Sequence, residues 1–235
     1  MNFADLAYPE LESLGEAVVL LPLGATEPHG PHAPLSTDTL ISTGVCDRAA
    51  ARLEGELPVL VLPALAYGVT RYAAAFPGAV SIGEETLRAI VTDVRNSLAA
   101  QGFSRLVLVN NHLEPEHVRT LRELGVPMLD LIRRASAERL TEEFRSGACH
   151  AGRYETSLVL ADRPELVDRE WLSKLEAKMV DMPAAIREGR TDFLALGMDQ
   201  AYCGAPADAT PAEGRQTFET LTEMLVELIR EVARA

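Results

Sequence analysis

Ala17-Val18-Val19-Leu20-Leu21-Pro22-Leu23-Gly24 is an almost unbroken apolar run. It opens into Ala25-Thr26-Glu27-Pro28-His29-Gly30-Pro31-His32-Ala33-Pro34-Leu35-Ser36-Thr37-Asp38. An apolar run without polar alternation marks a strand buried on both faces, and the polar tail marks where that strand ends. Ile41, Val45, Ala49 and Leu53 then recur at helical spacing behind Asp38 and Thr39, which are good helix-start residues. The pattern continues downstream. Val59 to Leu65 reads as a second strand, and Leu87, Ile90, Val91, Val94 and Leu98 trace one face of a helix closed by Gly102. Leu106 to Val109 reads as a third strand, roughly Pro115 to Leu124 as a third helix, and Val126-Pro127-Met128-Leu129 begins a fourth strand. Strand alternating with helix predicts an α/β fold whose mostly parallel sheet is covered by helices on both faces.

Beyond this core, Leu166 to Asp199 is less regular, holds the only tryptophan, Trp171, and reads as a surface excursion or lid. Thr210-Pro211-Ala212-Glu213 fits a capping box with proline at the first helical position. Phe218, Leu221, Leu225, Leu228, Ile229 and Val232 follow on one face of a long C-terminal helix. No internal repeat interrupts the chain, so residues 1–235 are expected to form a single domain.

Composition narrows the function. With 35 acidic against 22 basic side chains the formal charge is −13, which disfavours non-specific binding to nucleic acid or to an anionic membrane. An apolar fraction of 47% excludes disorder. No apolar run reaches the ~18–20 residues of a membrane span. The opening Met1-Asn2-Phe3-Ala4-Asp5 lacks a basic and then apolar leader, and Cys46, Cys149 and Cys203 are too scattered for a disulfide framework. A cytoplasmic protein is the expectation.

In an open parallel sheet, ligands sit beyond the carboxyl ends of the strands. Here the first strand runs into Glu27, His29, His32 and Asp38, and the third runs into Asn110-Asn111-His112-Leu113-Glu114, with His117 just beyond. The fifth histidine, His150, precedes Ala151-Gly152-Arg153-Tyr154-Glu155-Thr156-Ser157. Imidazole with carboxylate is a ligand set for Zn²⁺, Mn²⁺ or Fe²⁺. Glu27 and His29 are two apart and in extended backbone point the same way, and His112 and Glu114 repeat that spacing. Asp38 stands where loop becomes helix, a rigid place from which a short carboxylate can bridge two ions. Two divalent ions carry four positive charges against three from Glu27, Asp38 and Glu114. A bridging hydroxide, the nucleophile of a two-metal hydrolase, neutralises the remainder.

The stretch Leu21 to Thr39 resembles the opening signature of the creatininase (creatinine amidohydrolase) family. Weaker echoes follow in order: Tyr67-Gly68 with Phe76-Pro77-Gly78, Val109 to His112, His150 to Ser157, and Gly204-Ala205-Pro206 through Gly214. The resemblance covers residues 15 to 215 or so. It implies a three-layer α/β/α fold, a homo-oligomer, and a centre of two divalent ions that hydrolyses non-peptide C–N bonds of small cyclic or linear amides, with a metal-bridging hydroxide attacking the carbonyl. Carried over by position, Glu27 binds one ion, His29 the other and Asp38 both. His112 joins the ion of Glu27, and Glu114 matches an acid used for the second ion. Glu155 is the next candidate, as ligand or supporting group, and His150 shuttles a proton to the leaving nitrogen.

Departures bear on the substrate. Arg71-Tyr72-Ala73-Ala74-Ala75 stands where relatives commonly carry a histidine, Asn111 and Ala79 replace a usual glycine and threonine, and Arg145 to Cys149 offers no aromatic to clamp a flat ring. Creatinine is therefore not the expected substrate. Arg71 or Arg153, if directed into the pocket, would favour an anionic amide. The alternative is a metal-binding but non-catalytic family member serving as a structural or interaction subunit. A nucleotide-binding domain is disfavoured, because no Gly-x-Gly-x-x-Gly or Gly-Lys-Ser/Thr motif follows a strand.

Overall fold

The computed structural model describes residues 1–235. Strands β1 (Val18–Leu23), β2 (Val59–Val61), β3 (Arg105–Asn110) and β4 (Met128–Leu129) form one sheet in the order β2-β1-β3-β4, and every pairing is parallel. Helix α1 (Thr37–Arg52) joins β1 to β2, α2 (Glu84–Ala100) joins β2 to β3, and α3 (Pro115–Glu123) joins β3 to β4. Two further helices, α4 (Arg153–Asp162) and α5 (Pro211–Arg234), complete the covering layers.

The strand pleat explains the layers. Val18, Leu20, Val107 and Val109 share one apolar cluster with Ile41, Val45 and Ala49 of α1, Leu158 of α4 and Phe218, Leu221 and Leu225 of α5. Their neighbours Val19, Leu21, Leu23, Leu106 and Leu108 turn to the opposite face and pack on Leu87, Val91 and Leu98 of α2 and Leu121 of α3. Helices on both faces of a parallel sheet make the three-layer α/β/α architecture.

Two strands are shorter than their apolar runs. β2 stops at Val61, two residues before Pro63, and β4 begins only after Pro127, because proline has no N–H to give a ladder. Pro22 is tolerated inside a central strand for a positional reason. Its carbonyl accepts from Leu65 at 3.0 Å, so its bonding edge faces the side where β2 has already ended.

The end of β1 touches the start of α1. A Cβ on Gly24 would lie 2.6 Å from the Asp38 Cβ and 2.8 Å from the Thr39 nitrogen, so only glycine allows this approach. Gly24→Ala is expected to cost about 1–3 kcal/mol of stability by overpacking, read as a lower urea midpoint. An unchanged midpoint would show that Asp38 is not held this way.

Thr210 caps α5 by accepting from the Glu213 amide at 3.1 Å. The reciprocal half of the expected capping box is missing, because the Glu213 carboxylate pairs with Arg153. The irregular excursion carries two short helices, Arg169–Leu172 and Met182–Arg187, and packs Phe193, Leu196 and Met198 against Tyr72, Ala148 and Cys203. Its Met182, Ile186 and Phe193 line the same cleft as the residues that follow β1 and β3. No helix is long and apolar enough to cross a membrane.

Candidate metal centre

The connections leaving β1 and β3 pass to opposite faces of the sheet, which opens a crevice between the two strand ends. Into it project Glu27 and His29 from the loop after β1, Asp38 from the first turn of α1, His112 and Glu114 from the loop after β3, and Glu155 from the first turn of α4. All six are buried.

Asp38 lies between two imidazoles. Its Oδ1 is 3.1 Å from His29 Nε2 and its Oδ2 is 3.0 Å from His112 Nδ1, while Oδ2 also accepts from the Ala25 amide at 3.1 Å. On the His112 side, Nε2 donates to the Val69 carbonyl at 2.7 Å. A carbonyl only accepts, so that nitrogen carries the hydrogen and a neutral His112 turns an Nδ1 lone pair toward Asp38 and toward Glu27 Oε1 at 3.2 Å. On the other side, His29 Nδ1 donates to the Glu27 carbonyl at 3.1 Å. Its Nε2, buried without a hydrogen-bond partner, faces Asp38 and Glu155 Oε2 at 3.6 Å. Two lone pairs aimed at carboxylates in a dry pocket repel unless a cation stands between them. The donor set therefore fits divalent metal, with Asp38 lying between a pole of Glu27 and His112, where Glu114 also converges, and a pole of His29 and Glu155.

The charges make the same demand. With protons as the only cations, burial opposes a charged His29, yet Asp38, Glu155 and Glu27 outweigh it and push its pKa up to about 10. Burial likewise opposes a charged His112, and Glu27 and Asp38 raise it well above the ordinary value. Glu155 is pushed up to about 8 and Glu114 to about 7, in both cases chiefly by burial. Burial would raise Glu27 too, but His112 beside it holds it at about 2. The carboxylates draw positive charge onto two buried rings, and metal ions meet that need while leaving the ring nitrogens free as ligands.

Glu114 lies on the Glu27 side of the crevice. Its carboxylate groups with Glu27 and His112, not with His29. Both of its oxygens already accept main-chain hydrogens, from Arg71 at 2.9 Å and Tyr72 at 3.1 Å. Glu155 takes the place beside His29. It is steered there by the Ala151 amide at 2.7 Å and by Asn111 Nδ2 at 3.4 Å. Ala151 adopts a left-handed φ of 50°, a costly conformation for a residue with a Cβ, which turns its amide toward Glu155.

His150 stacks between His29 and Phe193, with ring centroids 4.6 and 4.5 Å away. Its Nε2 donates to the Pro28 carbonyl at 3.1 Å, and its Nδ1 is 3.9 Å from Glu27 Oε1. Burial, and then the neighbouring His29 charge, push it down to about 4, so it is neutral near pH 7. His32 is not at either pole; its Nε2 bonds Thr156 Oγ1 at 2.8 Å, bracing the loop against α4.

The poles open into a cleft of about 490 Å³ walled by Tyr72, Leu113, Met182, Ile186 and Phe193. The aromatic wall missing before His150 is thus supplied by Phe193 of the excursion and by Tyr72, where the turn after Arg71 begins. Neither arginine reaches the cleft. Arg71 is exposed and pairs with Glu84 at 2.9 Å, and Arg153 pairs with Glu213 on the surface, which removes the reason to expect an anionic amide.

Comparison with known proteins agrees with this geometry. The family model for creatinine amidohydrolase matches residues 4–229. The mycofactocin precursor peptide peptidase of Mycobacterium ulcerans is 35% identical over 228 residues, spanning 92% of this chain and 84% of that protein. Creatinine amidohydrolase of Pseudomonas putida is 31% identical over 260 residues, spanning 98% and 95%. Among solved structures, a mutant creatininase of Zn–Zn type superimposes with a TM-score of 0.78 at 28% identity, covering 98% of this chain and 97% of that one. A manganese creatininase superimposes at 0.77 with the same identity and coverage. With the strand-end signature, the parallel sheet and the metal-capable clusters in agreement, the chain belongs to the creatininase family of amidohydrolases.

Proposed function

We propose that this protein hydrolyses an amide C–N bond at a centre of two divalent ions. The observation that carries the reading is the pair of buried imidazole nitrogens, His112 Nδ1 and His29 Nε2, facing opposite oxygens of one carboxylate, Asp38. Glu27 and His112 would hold one ion, His29 and Glu155 the other, and Asp38 both. When bound, such ions supply a Lewis acid for the amide carbonyl and a nucleophile derived from water near neutral pH.

The protein's own groups do the rest. His150 is neutral, its Nε2 is committed to Pro28, and its Nδ1 makes no hydrogen bond and faces Glu27 Oε1 at 3.9 Å in the lining of the cleft. It can accept a proton during attack and return it to the leaving nitrogen. Tyr72, Met182 and Phe193 exclude water around the reacting bond. His150→Ala is expected to keep the full metal content and lose about 10²–10⁴-fold in turnover, the usual range for a positioned acid–base group. Metal analysis alongside steady-state kinetics checks this. Full metal content with no hydrolysis of any amide by the wild type would favour the non-catalytic alternative.

The substrate class has two readings. The compact cleft suits a small cyclic or linear amide. An amide at the end of an extended chain is favoured by a second observation: a largely apolar groove of about 1090 Å³ adjoins the cleft and shares Leu113, Pro115, Cys149, Met182 and Ile186 with it. The peptide-processing relatives point the same way. A panel of lactams, formamides and short peptides separates the two, and preference for peptides over every small amide would widen the expected bond type beyond non-peptide C–N.

A further inference from the structure

His117 lies outside both metal poles, fully buried in the first turn of α3, and nothing in the proposed chemistry uses it. Its hydrogen bonds nevertheless lead to one metal-facing ring from two directions. The Val69 amide donates to His117 Nδ1 at 3.2 Å, which makes Nδ1 the acceptor and places the hydrogen of the neutral ring on Nε2. That Nε2 donates to Asn110 Oδ1 at 3.1 Å. Asn110 in turn grips the His112 main chain, accepting from its amide at 3.3 Å and donating to its carbonyl at 2.6 Å. Val69, which His117 holds by its N–H, receives the His112 Nε2 hydrogen on its carbonyl, in the next peptide unit of the chain.

The arrangement is sterically specific. The His112 and His117 rings meet edge to face, 4.8 Å apart at 76°. A Cβ on Gly68 would come within 2.8 Å of the His117 ring, so the Gly68–Val69 backbone can lie on His117 only because Gly68 has none.

We propose that His117 is a positioning residue that locks His112 in the tautomer presenting its Nδ1 lone pair to the pole of Glu27 and Asp38. It does so by fixing the Val69 main chain through its N–H on one side and Asn110 on the other. The inference rests on the two-metal reading and adds to it an orienting residue, a role usually filled by a single carboxylate or carbonyl touching the ligand itself.

Chelator-competition titration with Zn²⁺, run on the wild type and three variants, tests it. His117→Leu removes both arms and is expected to weaken one of the two binding steps about 10–100-fold while the other holds. His117→Asn leaves an acceptor near the Val69 amide and is expected to recover most of that loss. His117→Gln leaves only a donor toward Asn110 and is expected to recover less. A purely structural role would instead lower the melting temperature in all three without selecting one step, and that result overturns the proposal. Should the variants not fold, ¹⁵N-histidine NMR of the zinc-loaded wild type decides: His117 as well as His112 must carry its proton on Nε2, with His117 Nδ1 coupled to the Val69 amide across their hydrogen bond, and a His117 proton on Nδ1 refutes the lock. A wild type that binds no divalent ion removes the metal reading and this inference together. Wild-type binding with unaltered His117→Leu affinity removes this inference alone.

Discussion

Asp38→Asn is expected to abolish hydrolysis and strip both ions from the purified protein. The substitution keeps the size of the side chain and an oxygen to accept the Ala25 amide, so the start of α1 stays where Gly24 admits it. What it removes is the charge shared by His29, 3.1 Å away on one oxygen, and His112, 3.0 Å away on the other. The pole of His29 then retains only Glu155, and that of His112 only Glu27 beside a Glu114 whose oxygens already hold two main-chain amides, too few free donors for a tightly held ion. Lewis-acid stabilisation contributes several kcal/mol, and each 1.36 kcal/mol is a decade in rate, so the loss should reach about 10³–10⁴-fold or more. Metal analysis, circular dichroism and kinetics on one sample suffice. A folded variant that retains both ions would show that Asp38 does not bridge them.

The second large effect separates two glutamates that their spacing in the chain cannot rank. Glu155→Ala is expected to leave the protein with one ion per chain, because Glu155 Oε2 is the carboxylate oxygen that, with Asp38, faces the unpartnered His29 Nε2. Glu114→Ala is expected to keep two, because its oxygens hold the Arg71 and Tyr72 amides and it sits beside Glu27 and His112. Its turnover should still fall, since that turn carries Tyr72 into the cleft wall and Thr70 onto Glu27. The reverse stoichiometry, one ion in Glu114→Ala and two in Glu155→Ala, would restore the assignment expected from position.

The contrast between these residues shows what the chain discloses by itself. Val18 to Leu23 and Arg105 to Asn110 announce themselves as doubly buried strands, and their polar tails mark the ligand end of the sheet, so the convergence of Glu27, His29, Asp38 and His112 in one crevice is legible from the chain. Which of Glu114 and Glu155 stands beside His29 is not. It depends on a left-handed turn at Ala151 and on Asn111, a residue that reads only as a replaced glycine. Tyr72 and Phe193 were hidden for another reason. They meet across 121 positions through the bond from the Phe193 amide to the Tyr72 carbonyl at 2.9 Å, and Phe193 comes from an excursion with no periodicity to read. Arg71 and Arg153 could be assigned to solvent only once Glu84 and Glu213 were seen beside them. His117 was visible as a histidine near a strand end, but a clamp acting through a main-chain peptide leaves no pattern in spacing.

The most direct test of the whole account is anomalous diffraction from crystals of the wild-type protein, recorded on both sides of the absorption edge of the bound metal. Two peaks are expected about 3.5–4 Å apart, the usual separation in two-metal sites. One should lie against Glu27 and His112 Nδ1, the other against His29 Nε2 and Glu155, with an Asp38 oxygen on each. A His29 Nε2 bonded directly to Asp38 or Glu155, with no peak between them, would contradict the two-metal centre and leave only the fold.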